Sequence, residues 1–241
     1  MRRREFLGCV GAGALGLYGC APQRMTQAAA TTGQKPNIIF ILIDDMGYAD
    51  LSCYGSPLNE TPNLDRLAQS GTKFTQAYAA CPVCSPTRAS IVTGKYPARL
   101  KLTNFLKGTL SPKDSPELTA PYADQLPFEE TTIAEILSDA GYVTGHIGKW
   151  HLGGSGFGPK EQGFNANVGG SQSGGVRSHF WPGWKGGFPV EGKVEGEYLA
   201  DRLTDEACAF IERNREHPFF LYLCHFSVHI PLEAKADKIA K

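Results

Sequence analysis

The stretch Asn37-Ile-Ile-Phe-Ile-Leu-Ile43-Asp44-Asp45 is a continuous run of apolar, mostly β-branched residues that ends in two carboxylates. A run of this length without polar alternation is typical of a strand that is buried on both faces. Such strands belong to parallel sheets, whose two faces are covered by helices. The run therefore predicts an α/β fold with Asp44 and Asp45 just beyond the carboxyl end of its first strand.

The chain that follows alternates between predicted helices and strands. Helices are predicted over 61–70, 85–93, 131–140 and 198–213, and strands over 142–147 and 219–226, while 72–79 is compatible with a short strand. Two stretches rich in Gly, Pro, Ser or aromatic residues, 101–125 and 153–196, predict long excursions of the kind that faces a substrate. This order predicts a doubly wound, mostly parallel sheet with helices on both faces.

Composition narrows the classes of function. The 241 residues include 24 Lys and Arg and 24 Asp and Glu, so the formal net charge is zero. A polybasic nucleic-acid-binding protein is excluded, because it needs an excess of positive charge. Hydrophobic residues make up 41% of the chain, which is typical of a globular domain rather than a disordered chain.

The amino terminus is predicted to be an export signal and linker over 1–34. Met1-Arg-Arg-Arg4 precedes a short apolar run over 6–17, which is shorter than the roughly 20 residues of a membrane-spanning helix. Arg3 and Arg4 lie in a segment that resembles the twin-arginine export motif, and Leu17-Tyr-Gly-Cys20 resembles a lipoprotein processing box. We therefore expect an exported protein of the bacterial periplasm or cell envelope. Membrane attachment through a lipidated Cys20 is one form of this prediction, and an ordinary cleaved signal is the alternative.

Three polar clusters follow three predicted strands. Asp44-Asp45, Lys149-Trp-His151 and His229 all lie just past a strand end. Ligands of open α/β sheets bind outside the carboxyl ends of the strands, so the three clusters predict one site. Adjacent carboxylates indicate a hard cation, Ca²⁺ or Mg²⁺, with a capped turn or an exposed acidic tip as the alternative.

The segment Cys81-Pro-Val-Cys84-Ser-Pro86-Thr-Arg88 is predicted to begin a helix. Pro86 suits the first turn, so Cys84 would lie at the positive end of the helix, where free amide groups attract anions. Arg88 is four residues further on and shares the same face. The pair Cys81 and Cys84 also has the spacing of half a zinc site, but no second pair with matching spacing follows in the sequence.

Taken together, the motifs resemble those of the sulfatase family, of arylsulfatase type, from about Asn37 to the last residue. The motifs occur in the order of that family: Asp44-Asp45-Met-Gly47 with Asp50, Cys84-Ser-Pro86-Thr-Arg88, Gly148-Lys149-Trp-His151-Leu-Gly153 and His229-Ile-Pro231-Leu. The resemblance implies an alkaline-phosphatase-like α/β fold and hydrolysis of sulfate esters.

For the catalytic residues, the resemblance implies that a formylglycine-generating enzyme oxidises Cys84 to formylglycine. The hydrate of that aldehyde would attack the sulfur of the ester, and its second hydroxyl would then expel sulfate and restore the aldehyde. Arg88 would steady the hydrate, and His151 and His229 would complete the catalytic group.

For binding, the resemblance implies that Asp44, Asp45 and the modified Cys84 hold a divalent cation, usually Ca²⁺, with Mg²⁺ as the other candidate. Lys149 and His229 would bind the sulfate group. The substrate would be a sulfated small molecule or a sulfated glycan. Cationic groups that converge on a developing negative charge are what such a reaction needs.

The family draws further metal ligands from a later segment that we do not find here. We therefore expect residues 35–241 to be the amino-terminal part of a sulfatase catalytic domain, truncated before its carboxy-terminal part. Two alternatives stay open for function: a phosphodiester or phosphonate ester hydrolase of the same superfamily, and an inactive truncated remnant. The Gly- and Ser-rich stretch that contains Ser171 and Ser173 is interpreted as a loop, although these side chains could reach a substrate.

Overall fold

The computed structural model describes residues 35–106 and 121–240. The predicted export signal, including Cys20, lies outside the described residues. So does the middle of the excursion predicted over 101–125. The described parts of this excursion are 101–106 and 121–125. Neither part contains a helix or a strand.

The centre of the fold is a four-stranded parallel sheet. Its strands are β1 Ile38–Leu42, β2 Val143–Gly148, β3 Ala166–Val168 and β4 Phe219–Cys224. Their order across the sheet is β1-β4-β2-β3, and every neighbouring pair is parallel. The last strand in the chain is thus inserted between the first two. This confirms the predicted parallel α/β architecture.

Six α-helices accompany the sheet in the described residues, together with two short 3-10 helices, Ser52–Tyr54 and Lys160–Gln162. The α-helices are α1 Pro62–Ser70, α2 Cys84–Thr93, α3 Pro97–Leu100, α4 Ile133–Asp139, α5 Leu199–Asn214 and α6 Ala236–Ile239. Their ends follow local sequence signals: α1 begins with Pro62, and α4 has a capping box between Thr132 and Glu135. None of the helices in the described ranges is long and apolar enough to cross a membrane.

Different helices cover the two faces of the sheet, and alternate side chains of β4 pack against each of them. Phe220, Tyr222 and Cys224 belong to one buried cluster, together with residues of α2 and α4. Phe219, Leu221 and Leu223 belong to a second cluster, together with the apolar side of α5. Successive residues of a strand point to opposite faces, so β4 contributes to both cores and is buried throughout.

Three details differ from the sequence predictions. β1 is an edge strand rather than a strand buried on both faces. Ile39 and Ile41 are 47% and 54% exposed because neither buried cluster of the described residues extends over their side chains. Residues 72–79 form no strand in the structure. The excursion over 153–196 contains β3, which is only three residues long and was not predicted because its apolar pattern is too short to recognise.

Candidate active site

Backbone hydrogen bonds join the carboxyl ends of three strands into one surface. Beyond β1, the Asp44 amide donates to the Ser227 carbonyl at 3.0 Å, and the Val228 amide donates to the Asp44 carbonyl at 2.7 Å. Beyond β2, the Lys149 amide donates to the Cys224 carbonyl at 3.0 Å. The three predicted clusters therefore meet at one edge of the sheet, as the parallel arrangement requires.

Cys84 is the first residue of α2, and its side chain is half-buried. It opens into a cavity of about 420 Å³, which we call the Cys84 cavity. The lining residues are Asp45, Pro82, Val83, Cys84, Phe105, Leu106, His151, Gly174 and His229. Four of the predicted site residues, one from each motif, therefore share a single cavity at the start of a helix.

The other three predicted residues form a buried group of charges outside the lining of this cavity. Lys149, Arg88 and Asp44 are 1%, 2% and 6% exposed. The Lys149 ammonium hydrogen-bonds to Asp44 Oδ2, and Arg88 Nη2 lies 3.5 Å from Asp44 Oδ1. Arg88 Nη1 also donates to the Lys149 carbonyl at 2.6 Å. In this arrangement both cations are directed at Asp44, which compensates for their burial.

His151 is buried and its environment keeps the imidazole neutral. Its Nε2 lies 3.2 Å from the Leu106 carbonyl, which can only accept, so Nε2 carries the proton. Nδ1 is buried and has no hydrogen-bond partner within residues 35–106 and 121–240. Burial, followed by the charge of Lys149, lowers the pKa of His151 to about 4. Near pH 7 the ring is therefore uncharged, and Nδ1 is a bare acceptor nitrogen.

His229 and Asp45 face each other across the cavity. His229 Nδ1 donates to the Ile230 carbonyl at 2.9 Å, which leaves Nε2 at 3.8 Å from Asp45 Oδ2. Asp45 and His151 both have left-handed backbones, with φ of 59° and 56°. Non-glycine residues rarely adopt this conformation, and when they do they are often found at functional sites.

The described residues offer only some of the ligands that a divalent cation needs. In the described ranges no group of three or more His, Cys, Asp or Glu side chains could hold a metal ion. Calcium takes six to eight oxygen ligands, whereas Asp45 offers one exposed carboxylate and that of Asp44 is already paired with two cations. Asp50 caps a turn by accepting from the Gly47 amide at 2.6 Å. These residues alone do not form a complete cation site.

A clamp that the sequence analysis missed holds the segment containing His229. Glu233 Oε2 accepts from Ser178 Oγ at 2.8 Å and from the His179 amide at 2.5 Å. His179 Nε2 lies 3.2 Å from the His229 carbonyl, and the Tyr198 hydroxyl donates to the Glu233 carbonyl at 3.1 Å. These partners are 35 to 55 positions apart, and no local pattern in the sequence marks such pairs.

The cavity wall also contains Phe105 and Leu106, which the sequence analysis did not single out. Both lie in the excursion that was predicted to face a substrate, so the region was recognised but the residues were not. Ser171 and Ser173 lie in a loop, as interpreted from the sequence. The Ser171 carbonyl accepts from the His151 amide at 3.0 Å, so this loop borders the site.

Comparison with known proteins identifies relatives of this chain. The family model described as Sulfatase matches residues 36–241. The Homo sapiens N-acetylgalactosamine-6-sulfatase is 36% identical over 230 residues, which cover 86% of this chain and 42% of the relative. The Homo sapiens arylsulfatase A is 41% identical over 155 residues, which cover 62% of this chain and 28% of the relative. The chain spans less than half the length of these relatives.

Two solved structures share the fold and were determined with carbohydrate ligands. One is described as Ps i-CgsB in complex with k-i-k-neocarrahexaose; it is 32% identical, has a TM-score of 0.68 and is matched over 86% of this chain and 48% of that chain. The other is described as a complex with its substrate D-glucosamine-2-N,6-O-disulfate; it is 30% identical, has a TM-score of 0.60 and is matched over 82% of this chain and 35% of that chain.

Proposed function

The chain belongs to the sulfatase family, and on that premise we propose that it hydrolyses sulfate esters with a formylglycine derived from Cys84 as the nucleophile. The observation that carries the proposal is the position of Cys84. It stands at the start of α2, in one cavity with His151, His229 and Asp45. That placement puts a reactive side chain next to proton-transfer groups and free helix amides.

The proposed reaction has two stages, the conversion of Cys84 to formylglycine and the hydrolysis of the ester by the hydrated aldehyde. A formylglycine-generating enzyme would oxidise the Cys84 side-chain carbon by two electrons, which pass to an external oxidant such as molecular oxygen; the sulfur leaves as sulfide, two hydrogens are lost and water supplies the new oxygen. When hydrated, the aldehyde offers two hydroxyl groups on one carbon. One hydroxyl oxygen bonds to the ester sulfur while the alcohol leaves and takes a proton. The other hydroxyl then loses its proton as the carbon–oxygen bond to sulfate breaks. One water per ester restores the hydrate.

The histidines of the site suit the two proton transfers. His151 lines the same cavity as Cys84 and has a bare Nδ1, so we assign it to accept the proton of a hydroxyl group at Cys84. Its pKa of about 4 keeps it neutral and makes it a weak base in this structure. His229 holds its Nε2 towards Asp45 and can donate a proton to the leaving alcohol when charged. From the family resemblance we assign Arg88 to steadying the hydrate, and Lys149 and His229 to binding sulfate; in the structure Arg88 and Lys149 are buried on Asp44, outside the lining of the Cys84 cavity.

We include a divalent cation, Ca²⁺ or Mg²⁺, in the proposed function. Asp44, Asp45 and the modified Cys84 are the ligands we assign to it from this chain. When bound, it would neutralise charge on the sulfate oxygens. The described residues supply fewer oxygens than such an ion takes, so the proposed ion would need further ligands, which can include water and the sulfate oxygens of the substrate.

The names of the relatives support a sulfated carbohydrate as the substrate class. The relatives and structures include an N-acetylgalactosamine-6-sulfatase, a complex with a neocarrahexaose and a complex with a glucosamine disulfate. A sulfated small molecule is the other candidate, since an arylsulfatase is among the relatives. Hydrolysis of a phosphodiester or phosphonate ester by the same nucleophile remains the second candidate function.

Peptide mass spectrometry tests the proposed nucleophile. The chain is expressed in a host that makes formylglycine, and the peptide spanning Cys84 is measured. We expect a mass lower by one sulfur and two hydrogens and higher by one oxygen. Arg88→Lys, which alters the motif after the cysteine, shows whether the conversion depends on the motif. A Cys84 that stays a thiol throughout would contradict the proposal and favour an inactive remnant.

Ester kinetics then separate the two candidate reactions. Initial rates are compared for 4-nitrophenyl sulfate and bis-4-nitrophenyl phosphate, with and without added Ca²⁺. We expect the sulfate ester to be preferred and Cys84→Ala to abolish turnover. A preference for the phosphate diester would assign the chain to the second candidate function.

We also propose that the protein is exported. The support is the charged and apolar amino terminus over 1–34 with the lipoprotein-like box that ends at Cys20. Mass spectrometry of the mature amino terminus distinguishes the forms. A diacylated Cys20 indicates membrane attachment, a cut at another site indicates an ordinary signal, and an intact Met1 contradicts export.

A further inference from the structure

A hydrogen bond at Nε2 sets the orientation of the His151 ring. His151 Nε2 lies 3.2 Å from the Leu106 carbonyl, and this bond leaves Nδ1 as the nitrogen without a proton. In the proposed function, Nδ1 accepts the proton of a hydroxyl group at Cys84. A flipped ring would present a carbon in its place, and the other tautomer would present a protonated nitrogen. The position of the Leu106 carbonyl therefore decides whether Nδ1 can accept.

The hydroxyl of Ser85 holds the Leu106 backbone in place. The Leu106 amide donates to Ser85 Oγ at 3.1 Å, and this bond joins segments that are 21 positions apart. Both residues are buried, so water does not compete for the bond. Within residues 35–106 and 121–240, no backbone–backbone hydrogen bond joins 103–106 to another part of the chain. The Ser85 hydroxyl is thus the polar anchor of this backbone in the described ranges.

The anchor of the His151 ring belongs to the same helix turn as the proposed nucleophile. Cys84 and Ser85 are the first two residues of α2. A displacement of the start of α2 would therefore move the nucleophile and, through Leu106, the imidazole in the same direction. On the other side of the ring, an added Cβ at Gly174 would lie 2.4 Å from His151 Cε1, so the ring has little room to turn once the bond to Leu106 has formed.

We propose that Ser85 is a positioning residue for His151: its hydroxyl holds the Leu106 backbone, whose carbonyl keeps the imidazole in one orientation with Nδ1 bare. This inference rests on the proposed function for the role of His151, while the two hydrogen bonds that carry it need no substrate. A purely structural role of the hydroxyl is the alternative, because a buried amide needs an acceptor. In that case the loss of the hydroxyl would lower stability and leave the ring as it is.

Four variants isolate the effect of the hydroxyl. Ser85→Val and Ser85→Thr add a similar volume, but only threonine keeps an oxygen that can accept from the Leu106 amide. Ser85→Ala removes the hydroxyl without adding volume. Ser90→Ala is the matched control on the same helix, because Ser90 Oγ is buried and has no hydrogen-bond partner in the part of the chain that the structure describes.

Long-range proton–nitrogen NMR spectra of the histidine-labelled chain, with Cys84 still a thiol, report the tautomer of His151 without any turnover. In the unmodified chain, Ser85→Thr and Ser90→Ala, we expect one bare nitrogen, Nδ1, and one protonated nitrogen, Nε2. In Ser85→Val and Ser85→Ala the two nitrogen shifts should move towards each other, because the ring is no longer held in one tautomer. His151→Gln assigns the signals.

Kinetics with 4-nitrophenyl sulfate connect the ring to catalysis. Rates are divided by the formylglycine content from mass spectrometry, because Ser85 adjoins Cys84 and its variants can change the extent of conversion. We expect Ser85→Val to lower kcat about threefold to tenfold relative to Ser85→Thr, with KM nearly unchanged, since the lost hydrogen bond serves the proton transfer rather than substrate binding. Ser90→Ala should keep the kcat of the unmodified chain.

Three results would overturn the inference. One is equal His151 spectra in Ser85→Val and Ser85→Thr, and another is equal kcat values in these two variants. The third is unfolding of Ser85→Val and Ser85→Ala while Ser85→Thr folds, which would assign the hydroxyl to stability alone. If the spectra change as expected but no form hydrolyses a sulfate ester, the proposed function fails and the role of Ser85 in orienting the ring stands. If the unmodified chain hydrolyses the ester and the spectra stay equal, only the inference fails.

Discussion

At the residue scale, the buried group formed by Asp44, Lys149 and Arg88 has more positive than negative charge. Two cations and one carboxylate are almost completely excluded from water, so the group has a net charge of +1. Taking charges out of water is costly, and the cost falls only when opposite charges and hydrogen bonds compensate for it. The identity of the residue that is removed should therefore decide how much stability is lost.

We expect Asp44→Asn to destabilise the protein more than Lys149→Met. Asp44→Asn leaves two buried cations without a counter-charge, which should cost roughly 3–5 kcal/mol in the free energy of unfolding. Lys149→Met leaves a balanced pair between Asp44 and Arg88 and should cost less. Urea denaturation in metal-free buffer measures both. The reverse order would show that Arg88 does not compensate Asp44.

His146 should make the fold sensitive to acid. It is fully buried, with Nδ1 3.3 Å from Asn167 Oδ1, and its pKa is lowered to about 3, chiefly by burial. The pKa of an unfolded histidine is about 6.5, so between roughly pH 6.5 and 3 the unfolded state binds a proton that the folded state does not. The free energy of unfolding therefore falls as the pH falls through this window.

The variant His146→Phe should lower, by about one, the number of protons that the chain takes up on unfolding near pH 5. Denaturation at several pH values between 4.5 and 7.5 gives the slope of stability against pH. We expect the slope near pH 5 to decrease by about one proton relative to the unmodified chain. Phe164→Leu, which alters a ring packed against His146 and removes no titratable group, provides the control and should keep the slope of the unmodified chain. An unchanged slope in His146→Phe would mean that the buried ring already titrates in the folded state.

At the element scale, the parts of the fold that could be predicted are those whose signals are local. The predicted helices over 85–93 and 131–140 match α2 and α4 because the signals for each lie within a few turns of the sequence. The burial of β1 was predicted wrongly because an apolar run shows that a strand can be buried and does not show which neighbours cover it.

The same distinction holds for the candidate site. Asp45, His151 and His229 could be predicted because each directly follows a strand, and parallel strands bring their carboxyl ends together. His179 and Glu233 could not, because their contacts join segments that are about 50 positions apart. Their roles depend on how two loops pack, which is a property of the folded chain.

Gly174 and Gly175 offer a matched pair of loop substitutions. An added Cβ at Gly174 would lie 2.4 Å from His151 Cε1, whereas one at Gly175 would lie 3.7 Å from His229 Cε1, an ordinary contact. We expect Gly174→Ala to displace the His151 ring and lower kcat at least tenfold, and Gly175→Ala to have little effect. Histidine NMR spectra should show a changed His151 signal only in Gly174→Ala. Equal effects in both variants would argue against a specific contact with the ring.

At the scale of the whole molecule, the described residues leave a long apolar edge on the sheet. Ile39, Phe40 and Ile41 of β1 are 47%, 39% and 54% exposed, and only β4 pairs with the strand in the described ranges. A flat apolar edge strand with unpaired backbone groups is a template for pairing with another chain. The 241-residue chain should therefore associate with itself when it is isolated.

Charge on this edge should reduce the association. We expect Ile39→Lys and Ile41→Lys, separately and together, to lower the apparent mass in light scattering at micromolar concentrations. Leu58 is 88% exposed and lies outside the strands, so Leu58→Lys controls for added charge alone. Equal solubility of all these variants and the unmodified chain would show that the edge is not the contact.

The insertion of β4 between β1 and β2 also delays the pairing of β1 during synthesis of the chain. The Phe219 amide donates to Asn37 Oδ1 at 3.1 Å across 182 positions of sequence. The strands on either side of β4, β1 and β2, are both synthesised before it and cannot pair with it until it has been made. At a synthesis rate of about 5–20 residues per second, roughly 10–40 s separate the appearance of β1 from that of its partner. Strand order in the chain thus sets how long the newly made β1 stays without its β4 partner, and a newly synthesised molecule can assemble the candidate active site only after that time.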